Sequence, residues 1–257
     1  MKDKLIDLKK HIPNLITLLN LTSGLFGILF ALLGHLDWAV YAIATGIFFD
    51  FFDGFAARAF GVQGELGKQL DSLADVVTSG VAPGMVWFML LSKSLDYDFI
   101  RQNLEIQSWS EIEWMWMPFV AFLCPLASAY RLAKFNIDTR QSSSFIGLPT
   151  PANALLIGGI VFMQMYASHH IVQELSHSTY VILGIGLLGT YMLNAELPMF
   201  SLKFKDYSWK KNKSVYIFLI FALIMLISLK QASLTFIIFG YILVSLFAQF
   251  NRQGTTL

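Results

Sequence analysis

Apolar runs follow one another along the chain with little polar sequence between them. About 20 apolar residues suffice for a helix to cross the hydrocarbon core of a bilayer. Runs of that order can be drawn eight times, over roughly 13–33, 36–60, 67–92, 114–137, 151–171, 178–197, 213–229 and 231–250. The sequence therefore predicts an all-α, polytopic integral membrane protein with about eight transmembrane helices. The second and third segments qualify only if carboxylates are accepted near their ends. The last two carry almost no ionisable residue and read as surfaces for packing against lipid or protein.

Composition agrees with this pattern. Of 257 residues, 56% are hydrophobic and 14% charged, where a soluble domain carries roughly 25% charge. The single cysteine, Cys124, excludes an intramolecular disulfide and a thiolate metal cluster. A net charge of +1 gives no general bias toward nucleic acid.

The distribution of charge orients the segments. With the N-terminus inside, 15 of the 18 Lys and Arg residues fall on inner segments, leaving Lys93, Arg101 and Lys230 outside. This asymmetry predicts both termini in the cytoplasm and a multi-pass protein of the cell (inner) membrane. The expected outer loop after the third segment is acidic (Asp96, Asp98, Glu105, Glu111, Glu113), and Trp38, Trp109, Trp114 and Trp116 fall where an outer aromatic belt belongs. No cleavable signal peptide is apparent. Residues 1–12 read either as a short amphipathic helix on the inner surface or as a basic topology anchor. The basic stretch 201–213 reads as an orientation signal near anionic lipid. His169, His170 and His177 fall on the outer side and read as an exposed interfacial loop.

Against this background one stretch is anomalous: Asp50-x2-Asp53-Gly54-x2-Ala57-Arg58-x8-Gly67-x3-Asp71-x3-Asp75. Ionised side chains at membrane depth cost several kcal/mol unless paired, solvated or metal-bound, so they mark function. Asp50, Asp53, Gly54, Ala57 and Arg58 share one helix face, and Gly67, Asp71 and Asp75 share another. Two such faces joined by the short loop Phe60–Leu66 can close on each other at the cytoplasmic leaflet. Crowded carboxylates either take up a proton or bind a cation. Hard divalent ions such as Mg²⁺ prefer oxygen ligands and bridge carboxylates to phosphates. Two such ions would stabilise both oxygens of a displacement at phosphorus. Small residues at Gly54 and Ala57 leave room for a ligand at the helix backbone, and Arg58 offers a donor fork for phosphate. One acid must accept a proton from an attacking hydroxyl; Asp75, deepest along its face, is the candidate. The fragment is no EF-hand, since the alternating ligands and closing Glu are absent. A cation pathway would spread polar residues over the whole membrane depth, whereas these crowd one leaflet.

The motif resembles that of the CDP-alcohol phosphotransferase family, D-x2-D-G-x2-A-R-x(7–8)-G-x3-D-x3-D, at every fixed position. The resemblance implies a six-helix catalytic core, normally homodimeric, covering about residues 10–200. It implies two divalent metals, Mg or Mn, held on a CDP-linked donor by Asp50, Asp53 and Asp71. Asp75 would be both ligand and base, and Gly54, Ala57, Arg58 and Gly67 would line the donor site. The chain then divides into a juxtamembrane segment 1–12, a catalytic transmembrane core 13–200, and an addition, 201–257, made of the basic loop and two further helices.

Flanking segments are similar to the bacterial and archaeal phosphatidylserine synthase branch of that family: 12–20 ending in Asn20, 70–83, 130–136 and 145–153. Thr78-Ser79-Gly80 replaces the usual Ser-Phe-Gly there. The resemblance implies CDP-diacylglycerol and serine as substrates. The runner-up is another alcohol of the same family, such as glycerol 3-phosphate or inositol phosphate, which would want more basic residues near the site. Arg131, Lys134 and Arg140 either meet a carboxylate or diphosphate or only set topology. Asn14 and Asn20 either hydrogen-bond substrate or make polar helix–helix contacts.

Overall fold

The computed structural model describes residues 2–97, 115–138, 145–200 and 209–253. Apart from one two-residue strand pair, the regular structure among these residues is helical. The molecule opens with α1 (Lys2–Leu32) and α2 (Leu36–Phe60), two long helices packed along each other. Within the described side chains of α1, the buried positions are Pro13, Thr17, Asn20, Gly24, Gly27 and Ala31. That spacing of three and four traces one helical stripe, and its small side chains let the neighbouring backbones come close. Leu15, Leu18, Leu25, Phe26 and Leu29 face outward, as a lipid-exposed surface would. Helix α2 stops at Gly61, whose φ of +64° suits a residue without Cβ; Gly61 and Val62 donate back to the carbonyls of Arg58 and Ala57.

The chain then reverses into α3 (Glu65–Ser94), which widens into a π-turn over Val76–Val81. Pro83 lies just beyond that turn. It has no N–H to give and its ring crowds the carbonyl four residues back, so the wider spacing accommodates it. Thr78, on this turn, donates 3.0 Å to the Asn20 carbonyl of α1, tying the two helices at the level of Asp75.

A 3₁₀ turn, Met117–Phe122, leads into α4 (Leu123–Ile137). Helix α5 (Thr150–Tyr166) is central and apolar on almost every side, as suits a helix surrounded by protein. A short helix α6 (His170–His177) joins α7 (Thr179–Asn194) at a bend of 75°. Trp87 of α3 packs on Gly186 of α7 and donates to the Ile182 carbonyl at 3.1 Å. Two-residue strands β1 (Phe145–Ile146) and β2 (Pro198–Met199) pair antiparallel, Phe145 opposite Met199. The C-terminal helices are α8 (Trp209–Leu229) and α9 (Leu234–Gln253), joined by a 3₁₀ turn.

Among the described residues four stretches are long and apolar enough to cross a membrane: His11–Leu32, Leu36–Phe60, Glu65–Ser94 and Asn212–Phe247; a fifth follows if α6 and α7 form one broken span. The chain is thus an all-helical protein of polytopic membrane character, with fewer clear spans than the eight expected. The reasons are local. The run 151–171 is cut at Tyr166 because Ala167 turns extended, leaving a 17-residue helix, and α7 has only 16 residues. Asn212–Phe247 is not straight: Lys230 has φ of +48°, and Phe218 meets Tyr241 at 5.6 Å between ring centres while Phe221 covers Gly240. These contacts fold α8 and α9 back on each other, in keeping with the break expected between 213–229 and 231–250. The pair also leans on α5, where Thr235 donates 3.1 Å to the Leu156 carbonyl. Asp98 to Trp114 and Lys203 and Lys205 lie outside the described residues.

Candidate metal centre

The acids come together because two helix faces meet. On α2 the buried stripe Leu36, Ala39, Val40, Ile43 and Gly46 leads at the same spacing to Asp50 and Asp53. On α3 Asp71 lies one turn before Asp75. Asp50, Asp53 and Asp71 each offer one carboxylate oxygen, and these oxygens all lie within 4.8 Å of one another. Asp53 is buried and the other two are half-buried. The Asp50 and Asp71 side chains are within hydrogen-bonding reach of each other.

Three carboxylates at this separation repel strongly in a medium of low dielectric. Two observations fit a divalent cation between them. The donor set is all oxygen, suited to a hard cation. In addition, Asp71 Oδ1 is buried with no hydrogen-bond partner among the described residues, whereas buried polar atoms are nearly always satisfied.

Asp75 stands beside this triad and is not one of the three. It is 9% exposed, and one of its oxygens accepts a 3.2 Å hydrogen bond from Asn20 Nδ2. Asp53 is fixed in a similar way: Thr17 Oγ1 donates to its Oδ2 at 2.6 Å. Nothing in the motif pointed to Thr17. The available signal was its place on the same small and polar stripe of α1 as Asn20.

The other expected site residues divide into two groups. Gly54 and Ala57 continue the α2 face toward its C-terminal end, both half-buried, and the exposed Arg58 folds back over Gly54: a Cβ there would lie 3.3 Å from Arg58 Nη1. Gly67 opens α3 opposite Asn14, whose Oδ1 would be 3.4 Å from a Cβ at Gly67. These residues rim the acids. Asn20 turns to Asp75 as a helix–helix contact and is fully buried.

Arg131 is buried too, and its guanidinium donates to the carbonyls of Leu193 (2.6 Å), Ile146 (2.8 Å) and Gly147 (3.3 Å). It pins the segment entering α5 to the end of α7. Lys134 pairs with Glu196 at 3.2 Å. Arg140 lies outside the described residues. On the opposite side of the molecule His170 pairs with Glu174 at 3.5 Å, and His177 contacts the Gln173 carbonyl.

Filling the rim is expected to obstruct it. For Gly54→Leu, a steric penalty of about 1–3 kcal/mol, the size of a core overpacking cost, corresponds to roughly 5- to 150-fold weaker binding of CDP, measured by calorimetry on the purified protein.

Residues 10–192 match the family model for CDP-alcohol phosphatidyltransferase. The chain belongs to this family. A CDP-diacylglycerol–serine O-phosphatidyltransferase of Bacillus subtilis is 37% identical over 145 residues, which cover 55% of this chain and 70% of that protein. A Helicobacter pylori protein of the same name is 29% identical over 237 residues, 90% of this chain and 89% of the relative. The archaetidylserine synthase of Methanothermobacter thermautotrophicus is 32% identical over 170 residues, 65% of this chain and 64% of its own length. The family match ends before α8 and α9.

Proposed function

We propose that this chain transfers the phosphatidyl group of CDP-diacylglycerol to the hydroxyl of L-serine, giving phosphatidylserine and CMP. The observation that carries the reading is the convergence of Asp50, Asp53 and Asp71 within 4.8 Å beside the buried Asp75. The names of the relatives supply the substrates.

In this reading Asp50, Asp53 and Asp71, with Asp75 at the edge of the set, hold divalent cations, Mg or Mn. When bound, two such ions would offset the charge of the donor's diphosphate and of departing CMP. Gly54 and Ala57 leave space for the cytidine and Arg58 reaches its phosphates. Asp75 takes the proton of the serine hydroxyl as that oxygen bonds to the phosphorus bearing diacylglycerol. The bond from this phosphorus to the bridging oxygen breaks, and CMP departs with the electron pair. No protein nucleophile is needed, and positioning and charge stabilisation carry the rate.

Catalysis belongs to residues 13–200 in this account. Residues 1–12 are a juxtamembrane segment, and 201–257 add a helical hairpin. Both termini lie in the cytoplasm, the acids lie in the inner leaflet of the cell membrane, and the working unit is a homodimer. Asn14, Lys134 and Arg140 border the acceptor, with Arg131 shaping the loop beside it.

The test is CMP release from CDP-diacylglycerol by purified protein. Release that requires both Mn²⁺ or Mg²⁺ and serine is the expected result. Release with glycerol 3-phosphate or inositol phosphate but not with serine would move the chain to another branch of the family. Metal-independent release would remove the proposed chemistry.

A further inference from the structure

We infer that Thr17 and Asn20 of α1 are positioning residues for the acidic cluster, Thr17 orienting the metal-binding carboxylate of Asp53 and Asn20 orienting Asp75. The inference rests on the proposed metal-dependent transfer. It adds a third helix to a site whose recognised acids all come from α2 and α3.

The geometry of Thr17 is specific. Its hydroxyl has one proton and two acceptors in reach, the Pro13 carbonyl at 3.1 Å and Asp53 Oδ2 at 2.6 Å. The shorter distance is that of a charge-assisted O–H···O⁻ bond, so the proton goes to Asp53. Thr17 is only 3% exposed, and its β-branched side chain has few rotamers inside a helix. One oxygen of Asp53 is therefore engaged from α1, which fixes the carboxylate plane beside the triad. This is the arrangement by which outer groups orient metal-binding carboxylates; losing such a partner typically costs 10–100-fold in metal affinity or activity.

Asn20 sits one turn along the same stripe and is 0% exposed. Its backbone carbonyl accepts from Thr78 at 3.0 Å, and its amide lies against Gly46, where a Cβ would be 3.0 Å from Oδ1. In the opposite amide orientation Oδ1 would face a carboxylate oxygen, so the N–H₂ points to Asp75. Fully buried and enclosed on these sides, the amide holds Asp75.

Mn²⁺ binding to purified protein in detergent, followed by electron paramagnetic resonance of the free ion, tests Thr17 without any turnover. Thr17→Val keeps the side chain's shape and removes the donor; its Kd for Mn²⁺ is expected to rise about tenfold or more. Thr17→Ser keeps the hydroxyl and is expected to stay near wild type. A merely structural role, through the packing of the methyl group, would instead impair Thr17→Ser and spare Thr17→Val, which keeps that methyl. Wild-type-like affinity in Thr17→Val, or equal losses in Val and Ser, would overturn the assignment. Absence of Mn²⁺ binding by the wild type would instead remove the functional reading beneath it.

For Asn20, Asn20→Leu is expected to lower kcat with KM for CDP-diacylglycerol little changed. A rise in KM with kcat preserved would make Asn20 a substrate contact and overturn its part. Melting temperatures taken without metal separate both readouts from misfolding. If Asn20→Leu does not fold, Asn20→Ser is read by the same kcat and KM split.

Discussion

Asp71→Asn is expected to abolish transfer while leaving the helices in place. The substitution keeps the size of the side chain and removes the charge that two neighbouring carboxylates need a cation to balance. Metal stabilisation of a transferring phosphoryl group amounts to several kcal/mol, and each 1.36 kcal/mol is tenfold in rate. A loss of about three orders of magnitude or more in serine-dependent CMP release is therefore expected, with Mn²⁺ affinity falling in parallel. Asp50→Asn and Asp53→Asn are expected to behave alike, since all three oxygens meet within one 4.8 Å cluster. The apo protein has less to lose, because three crowded carboxylates become two and repulsion falls. A thermal midpoint that drops without metal would show that Asp71 is needed by the fold instead of the chemistry.

Asp75→Asn is the second large effect, and it differs in kind. Asp75 stands outside the triad and keeps a hydrogen bond from Asn20, which places it to receive a proton. A positioned general base contributes about 10²–10⁴-fold. Turnover should fall by that range while CDP still binds with metal, so the defect appears in kcat and not in nucleotide affinity. Near-normal turnover in Asp75→Asn would remove Asp75 from the proton transfer. Loss of CDP binding together with turnover would make it chiefly a ligand.

The acids were legible before the fold because their spacing carries the geometry. Three- and four-residue steps put Asp50 with Asp53, and Asp71 with Asp75, on single helix faces, and a short loop leaves two such faces little choice but to meet. The separation of Asp75 from the other three, and its hydrogen bond from Asn20 of α1, were not legible, because local spacing does not encode contacts from another helix. Thr17 was invisible for a related reason. A threonine in an apolar helix looks like packing, and only the stripe Pro13, Thr17, Asn20, Gly24, Gly27 and Ala31 marks it as facing protein.

Arg131 illustrates a limit of depth arguments. Its side and height suggested either an anion partner or a topology signal. The carbonyls that hold it belong to Ile146, Gly147 and Leu193, and backbone acceptors so distant in sequence leave no residue-type signature. Fewer of the expected membrane segments stand clear among the described residues for a simpler reason. Hydropathy records that a run is apolar and does not record where the backbone turns extended, as at Ala167.

Anomalous diffraction from crystals grown with Mn²⁺ and CDP-diacylglycerol tests whether the three aspartates hold metal against the donor. Manganese peaks are expected between the carboxylates of Asp50, Asp53 and Asp71 with the donor's diphosphate against them, and no such peaks in Asp71→Asn crystals. A wild-type map with donor bound and no manganese at these carboxylates would contradict that expectation.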